Sequence, residues 1–225
     1  MALFRCLVLT AFSSNCYLWL EEGETVGRER IALVIDPGGD EDRIFEALAR
    51  ENARPVAVLA THAHLDHVGA VGALQQRHPG LPFLLHADDL PLLEQLPLQC
   101  QMFGLPRLPV PRVTATLSDR EWVRFPPLAL EVIHVPGHSP GGLCFLAGDL
   151  LFSGDTLFAG NVGRTDLPGG DLDRLLAGIR RDLFTLPGGT RVLPGHDGES
   201  TIAEERKNNP FVGTGCEGGG SCCST

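Results

Sequence analysis

Apolar and polar positions alternate in short runs along the first 36 residues, and runs with helical spacing then take over. Three β-type segments open the chain: Leu3–Phe12, Asn15–Glu21 and Ile31–Asp36. The last runs into Asp36-Pro37-Gly38-Gly39-Asp40, a turn signal. The spacing of Ile44, Phe45, Leu48 and Ala49 predicts a helix over Asp40–Asn52. Pro55–Thr61 is a continuous apolar run, the signature of a strand buried on both faces. A helix over His67–His78, a strand over Phe83–Ala87 and a helix over Asp88–Leu96 follow. The stretch Pro97–Val113 is too rich in proline for regular structure and is expected to lie over the surface, as a lid or a dimer contact. The second half repeats the style. Leu128–Val135 reads as a strand, and Leu143–Ala147 with Leu150–Ser153 as a hairpin around Gly148-Asp149. Asp171–Leu186 reads as a helix capped by Asp171, Arg191–Pro194 as a strand and Thr201–Asn208 as a final helix. Gly213–Thr225, rich in Gly and Cys, is expected to be a disordered tail.

Composition narrows this picture. A chain of 225 residues with 43% hydrophobic and 20% charged positions has enough apolar material for its own core, which excludes collagen, coiled coil and wholesale disorder. The net charge is −10 and Lys207 is the single lysine, so no basic stripe marks a nucleic-acid binder. No apolar run has the length of a membrane span, and the N-terminal apolar run reads as a strand pair rather than a signal peptide. Seven cysteines, an odd number without framework spacing, fit a reducing compartment. The expectation is a cytoplasmic protein without membrane or nucleic-acid partners, monomeric or homodimeric. Residues 1–212 would form one domain, with 213–225 as tail.

The chemistry concentrates at Thr61-His62-Ala63-His64-Leu65-Asp66-His67, where a buried strand gives way to a helix. Three imidazoles and a carboxylate within six residues suit Zn or Fe, and are too many for one open site. They point to two adjacent metals. Three more ligand-type residues each follow a predicted strand and stand beside glycine: His138 in Pro136-Gly137-His138, Asp155 in Ser153-Gly154-Asp155, and His196 in Pro194-Gly195-His196.

HxHxDH followed by a His, an Asp and a last His resembles the ligand order of the metallo-β-lactamase superfamily. That resemblance implies a four-layer αββα sandwich of mixed α/β (α+β) class. It implies one metal on His62, His64 and His138, a second on Asp66, His67 and His196, and Asp155 bridging them. The segments THAHLDHVGA, SGDTLF, GRTDLPGGD and PGHDGESTIAEERKNNPF resemble the glyoxalase II group, the hydroxyacylglutathione hydrolases. TAFSSNCYL, VIDPGGD and MFGL are similar to its short bacterial-type branch, so the expectation is a chain without the C-terminal helical domain of the longer enzymes. The implied reaction is hydrolysis of a glutathione thioester such as S-D-lactoylglutathione by a hydroxide shared between two divalent metals. Zn is the first choice of metal, with Fe or Mn accepting the same ligands, and Asp66 would orient the hydroxide. Arg164, Arg206 and Lys207 are candidate substrate contacts, while His134 and Asp166 are candidate supports behind the ligands. The alternative within the resemblance is a persulfide dioxygenase with one Fe on His62, His138 and Asp155. A metal-binding module without catalysis is the non-enzymatic reading. Cys216, Cys222 and Cys223 read as part of the tail rather than as a soft-metal site.

Overall fold

The computed structural model describes residues 3–22 and 29–214, so the reading of a disordered tail falls outside the described residues from position 215 onward. Six strands form a first sheet in chain order: β1 (Leu3–Leu9), β2 (Ser14–Glu22), β3 (Arg30–Ile35), β4 (Ala53–Leu59), β5 (Phe83–His86) and β6 (Ala115–Leu117). The β1–β2 and β2–β3 pairs are antiparallel, and the pairs from β3 to β6 are parallel. Helices α1 (Glu41–Arg50), α2 (Leu65–Val68), α3 (Val71–Arg77), α4 (Leu90–Glu94) and α5 (Leu96–Met102) fill the connections. The second sheet uses β7 (Trp122–Phe125), β8 (Leu128–His134), β9 (Leu143–Ala147) and β10 (Leu150–Gly154). A two-stranded ribbon, β11 (Leu157–Phe158) and β12 (Asn161–Val162), and helix α6 (Leu172–Gly178) follow. Next come β13 (Arg191–Pro194), β14 (Ser200–Thr201) and α7 (Ile202–Asn208). The order across this sheet is β14-β13-β10-β9-β8-β7, with β10 and β13 parallel.

Alternation along single strands assigns the layers. On β2, Cys16, Leu18 and Leu20 join Ile44, Leu48, Val71 and Leu74 from the helices, whereas Tyr17 and Trp19 turn to the other face. There they meet Leu130, Val132, Phe145 and Phe152 of the second sheet, so the central core lies between the two sheets. Ile133, Cys144, Leu151 and Val192 point outward from the second sheet onto Leu175, Ile179 and Ile202. This is the expected αββα sandwich. Among the described residues, no helix is long and apolar enough to cross a membrane.

Three expectations need correction. The Pro-rich stretch contains a helix, α5, because Pro97 falls in its first turn, where a missing N–H costs nothing, and Leu96 and Cys100 are buried beneath it. The helix expected over His67–His78 is broken between α2 and α3, where the Ala70 N–H donates to Pro37 O (2.9 Å) instead of within a helix. The helix expected to reach Leu186 changes at Ile179 into a π-type turn, Ile179–Leu183. Strands β6 and β7 were not expected. They are half-exposed sheet edges of three and four residues, too short for alternation to stand out in the sequence.

Candidate metal centre

Parallel pairing brings the ligand-type residues to one end of the sandwich. Ile35 of β3 lies opposite Leu59 of β4, so Asp36 and the Thr61–His67 segment emerge side by side. Gly154 of β10 lies opposite Pro194 of β13, so Asp155 and His196 also emerge together. The Leu143 N–H donates to Thr61 O (2.7 Å) and ties the two sheets at this end. His138 stands in the turn between β8 and β9.

The seven expected side chains converge there. His138 Nε2 is 3.2 Å from His62 Nε2 and 2.9 Å from His64 Nδ1. His196 Nε2 is 3.2 Å from Asp66 Oδ2, and His67 Nε2 is 3.6 Å from the same oxygen. Asp155 stands between these groups, with carboxylate oxygens 3.4 Å from His67, 3.5 Å from His138 and 3.6 Å from His196. Three sets, His62/His64/His138, His62/His67/Asp155 and Asp66/His67/His196, each hold ligand atoms within 4.8 Å of one another.

The protein fixes which ring nitrogens are free. His138 Nδ1 faces Arg164 O (2.7 Å), which only accepts, so Nδ1 carries the proton and Nε2 the lone pair. His67 Nδ1 donates to Asp36 Oδ2 (3.1 Å) in the same way. Thr61 Oγ1 gives its hydrogen to Asp36 Oδ2 (2.7 Å) and accepts from His62 Nδ1 (3.0 Å), which frees His62 Nε2. One buried carboxylate therefore orients two imidazoles, one of them through a hydroxyl. The sequence pattern makes Asp36 the end of a strand and the start of a turn, and does not mark it as a support, although it shares the placement of the other ligand-type residues, just past a buried strand. Asp89 is a second support that the pattern did not reveal. It accepts from Ala63 N (2.9 Å), Ser139 Oγ (2.9 Å) and Gly141 N (2.6 Å), joining the His62–His64 loop to the His138 turn. Asn15 and Tyr17 hold the third loop, donating to Pro194 O at 3.0 and 2.7 Å, and Asn15 also reaches Asp197 O (2.9 Å).

Charge is unevenly divided across the cluster. Burial, with His67 and His138 beside it, holds His62 well below the usual imidazole range. Burial and His138 take His64 down to about 3. Burial also opposes a charged His67, but Asp155, Asp66 and Asp36 overcome it and lift His67 to about 10. Asp66 goes the other way: burial would raise it, and His67 and His196 hold it far below the usual carboxylate range. One half of the centre thus repels protons and the other collects positive charge. His67 Nε2 and Asp155 Oδ1 are buried without a hydrogen-bond partner. A buried imidazole nitrogen and a carboxylate oxygen left facing one another in this way fit a divalent cation, which would displace the proton that His67 otherwise holds.

The remaining candidates lie differently. Arg164 forms a two-pronged, exposed pair with Asp166, with both contacts at 2.8 Å. Arg206 donates to Leu186 O (3.0 Å), and Lys207 is exposed on the same helix. His134 donates from Nε2 to Pro140 O (3.0 Å), so its link to the cluster runs through the backbone of the His138 turn. Gln99 of α5 accepts from the Leu65 N–H (2.8 Å) and donates to Ala63 O (3.3 Å), which ties this helix to the histidine loop.

Comparison with known proteins agrees with this geometry. A family description reading "Metallo-beta-lactamase superfamily" matches residues 9–196. Hydroxyacylglutathione hydrolase GloC of Haemophilus influenzae (strain ATCC 51907 / DSM 11121 / KW20 / Rd) is 36% identical over 212 residues, 91% of this chain and 95% of that protein. The crystal structure of BLEG-1 B3 metallo-beta-lactamase superposes with a TM-score of 0.83 at 34% identity, covering 93% of this chain and 99% of the other. TTHA1623 in a di-iron-bound form gives 0.79 at 38% identity, covering 92% of this chain and all of that one.

Proposed function

Because the chain belongs to the metallo-β-lactamase superfamily, whose fold and His/Asp clusters imply divalent metals, we propose that it is a metal-dependent thioester hydrolase acting on an S-2-hydroxyacylglutathione, such as S-D-lactoylglutathione. The observation that carries the reading is the convergence of five imidazoles and two carboxylates on one point. The substrate is suggested by the name of the H. influenzae relative. His62, His64 and His138 would hold one metal, and Asp66, His67 and His196 the other, with Asp155 reaching both. The imidazole and carboxylate donors suit Zn first and accept Fe or Mn.

Bound metals supply Lewis acidity and bring the ionisation of water toward neutrality. The rest falls to the chain. Asp36 and Arg164 O hold the imidazole protons on the outer nitrogens, so the inner ones stay basic. Asp66, kept ionised by His67 and His196, orients the attacking water. The departing thiolate needs no strong acid, since a free thiol ionises near about 8.5. Arg164 is exposed and would exchange its partner Asp166 for a substrate carboxylate, with Arg206 and Lys207 as weaker candidates.

The test pairs metal analysis with thiol release from S-D-lactoylglutathione. Two metals per chain and release that disappears on chelation are expected. A single Fe per chain, no thiol release and oxygen uptake on glutathione persulfide would replace this reading with the dioxygenase, with Fe on His62, His138 and Asp155. Metal loading without turnover of any thioester would leave a binding module.

A further inference from the structure

Among the described residues, nine large apolar side chains are exposed, and five of them fall between positions 98 and 110: Leu98, Met102, Phe103, Leu105 and Val110. They lie on α5 and on the chain just past it. Met102 is 73% exposed and Phe103 57%. A cluster of this kind marks an association surface, whereas single exposed apolar residues do not. A groove of about 820 Å³ opens in the same face, lined by Glu94, Pro97, Leu98, Gln101, Leu105 and Arg107.

The composition is that of a contact surface. Positions 95–113 hold no Lys, Asp, Glu, Ser or Ala, and they include Met102, Phe103, Arg107 and Arg112. Protein–protein interfaces are depleted in the first group and enriched in Met, aromatic residues and Arg. The surface is also preformed. The Leu105 N–H donates to Cys100 O (2.9 Å) and the Gly104 N–H to Gln101 O (3.1 Å). The Gln75 side chain grips the backbone of Arg112, accepting from its N–H (3.0 Å) and donating to its O (2.7 Å). The Phe103 ring stands edge-on to Phe12, with centroids 4.9 Å apart. Pro106, Pro109 and Pro111 fix their own φ angles, so little backbone freedom is left to lose on docking.

Charge selects the occupant. The chain carries −10 overall, so a second copy is repelled over most of the surface. This face is the exception, since no acidic side chain occurs from 95 to 117. The groove holds one cation, Arg107, and one anion, Glu94. Both are exposed, and among the described residues neither has a hydrogen bond or an ion pair. A patch with one charge of each sign beside an apolar centre is complementary to itself about a two-fold axis. We propose that this face is the interface of a homodimer, with Leu98, Met102 and Leu105 of each copy at its centre. Glu94 of one copy meets Arg107 of the other, and the reverse. An acidic partner would satisfy Arg107 and set a like charge against Glu94, and a basic partner would do the opposite, whereas a second copy satisfies both. The inference does not rest on the thioester-hydrolase reading.

The experiment is analytical ultracentrifugation of the full-length protein over a range of concentrations, with circular dichroism to check the fold of each variant. Wild type is expected to sediment as a dimer that dissociates on dilution. Arg107→Glu and Glu94→Arg should each raise the dimer Kd by about 10-fold or more, since each sets like charges together at two symmetric places. Mixed in equal amounts, these two variants should pair again, because each supplies the charge that the other lacks. Leu98→Asp, at an exposed position that the fold does not depend on, should weaken the dimer at least as much. Wild type that stays monomeric throughout the range overturns the proposal. A dimer whose Kd is the same in wild type, Arg107→Glu and Leu98→Asp overturns it too, because the contact then lies elsewhere. Failure of the two charge variants to pair on mixing overturns the two-fold arrangement of Glu94 and Arg107.

Discussion

Gly195 stands where a side chain has no room. A methyl group there would strike the Asp155 carboxylate and come within 2.7 Å of His67 Cε1, so two proposed ligands would have to move. Gly195→Ala is expected to cost about 1–3 kcal/mol of stability as overpacking. It should lower bound metal more than that loss explains, as read by thermal melting beside elemental analysis. Retention of full metal content would mean that Asp155 and His67 are not both ligands. Asp36 acts at the same scale without touching the centre. Its two oxygens accept from Thr61 N, Thr61 Oγ1 and His67 Nδ1. An amide can accept at only one end, so Asp36→Asn leaves at least one of these donors facing an N–H. Metal affinity should fall about 10- to 100-fold, and activity should return as metal is added in excess. Activity that stays low at saturating metal would show that Asp36 does more than orient His67 and His62.

Connections between elements depend on Asp89, a wholly buried carboxylate in the turn that leads into α4. It receives hydrogen bonds from two loops that come from different sheets. Asp89→Asn should destabilise the fold by about 1–3 kcal/mol in denaturant titration, the cost of unpaired buried donors, and reduce turnover because His138 loses its anchor. A denaturation midpoint equal to wild type would remove Asp89 from that role. This residue also shows where sequence reading stops. His62, His64, His67, Asp155 and His196 were legible because each follows an apolar strand beside glycine or within one dense motif. Central strands such as Ala53–Leu59 were legible because both of their faces are buried. Asp89 sits in His86-Ala87-Asp88-Asp89, which reads as an ordinary helix start, and its partners Ala63 and Ser139 are 26 and 50 residues away. Edge strands β6 and β7 failed for a related reason. Half-exposed and short, they carry no periodicity of their own, and only pairing with β5 and β8 makes them strands. Helix α5 is masked in the sequence by the proline density of the stretch that follows it, although its own Pro97 falls in the first turn, where it is tolerated.

Across the whole molecule, the cluster couples folding to protons and to metal in opposite directions, and this sets a pH dependence. Consider the chain stripped of metal. His67 has its folded-state value raised from 6.5 to about 10, so its protonated form contributes stability that is fully present below 6.5 and is lost as pH rises toward 10. His62 and His64 have lowered values, His64 reaching about 3. Below 6.5 the unfolded chain takes up protons that these buried rings refuse, so stability is lost as pH falls. Asp66, held low by His67 and His196, adds to the acid limb as it takes up its proton. The stripped protein should therefore melt highest near neutrality and fall away on both sides. With metal bound, His67 has no proton to lose and the alkaline limb changes sign, because metal displaces protons and binds more tightly as pH rises. Melting temperatures of chelator-treated and reloaded protein, measured from acid to alkaline pH, should coincide most closely at the acid end and separate steadily above neutrality. Parallel curves would mean that His67 holds neither proton nor metal, and would remove it from the centre.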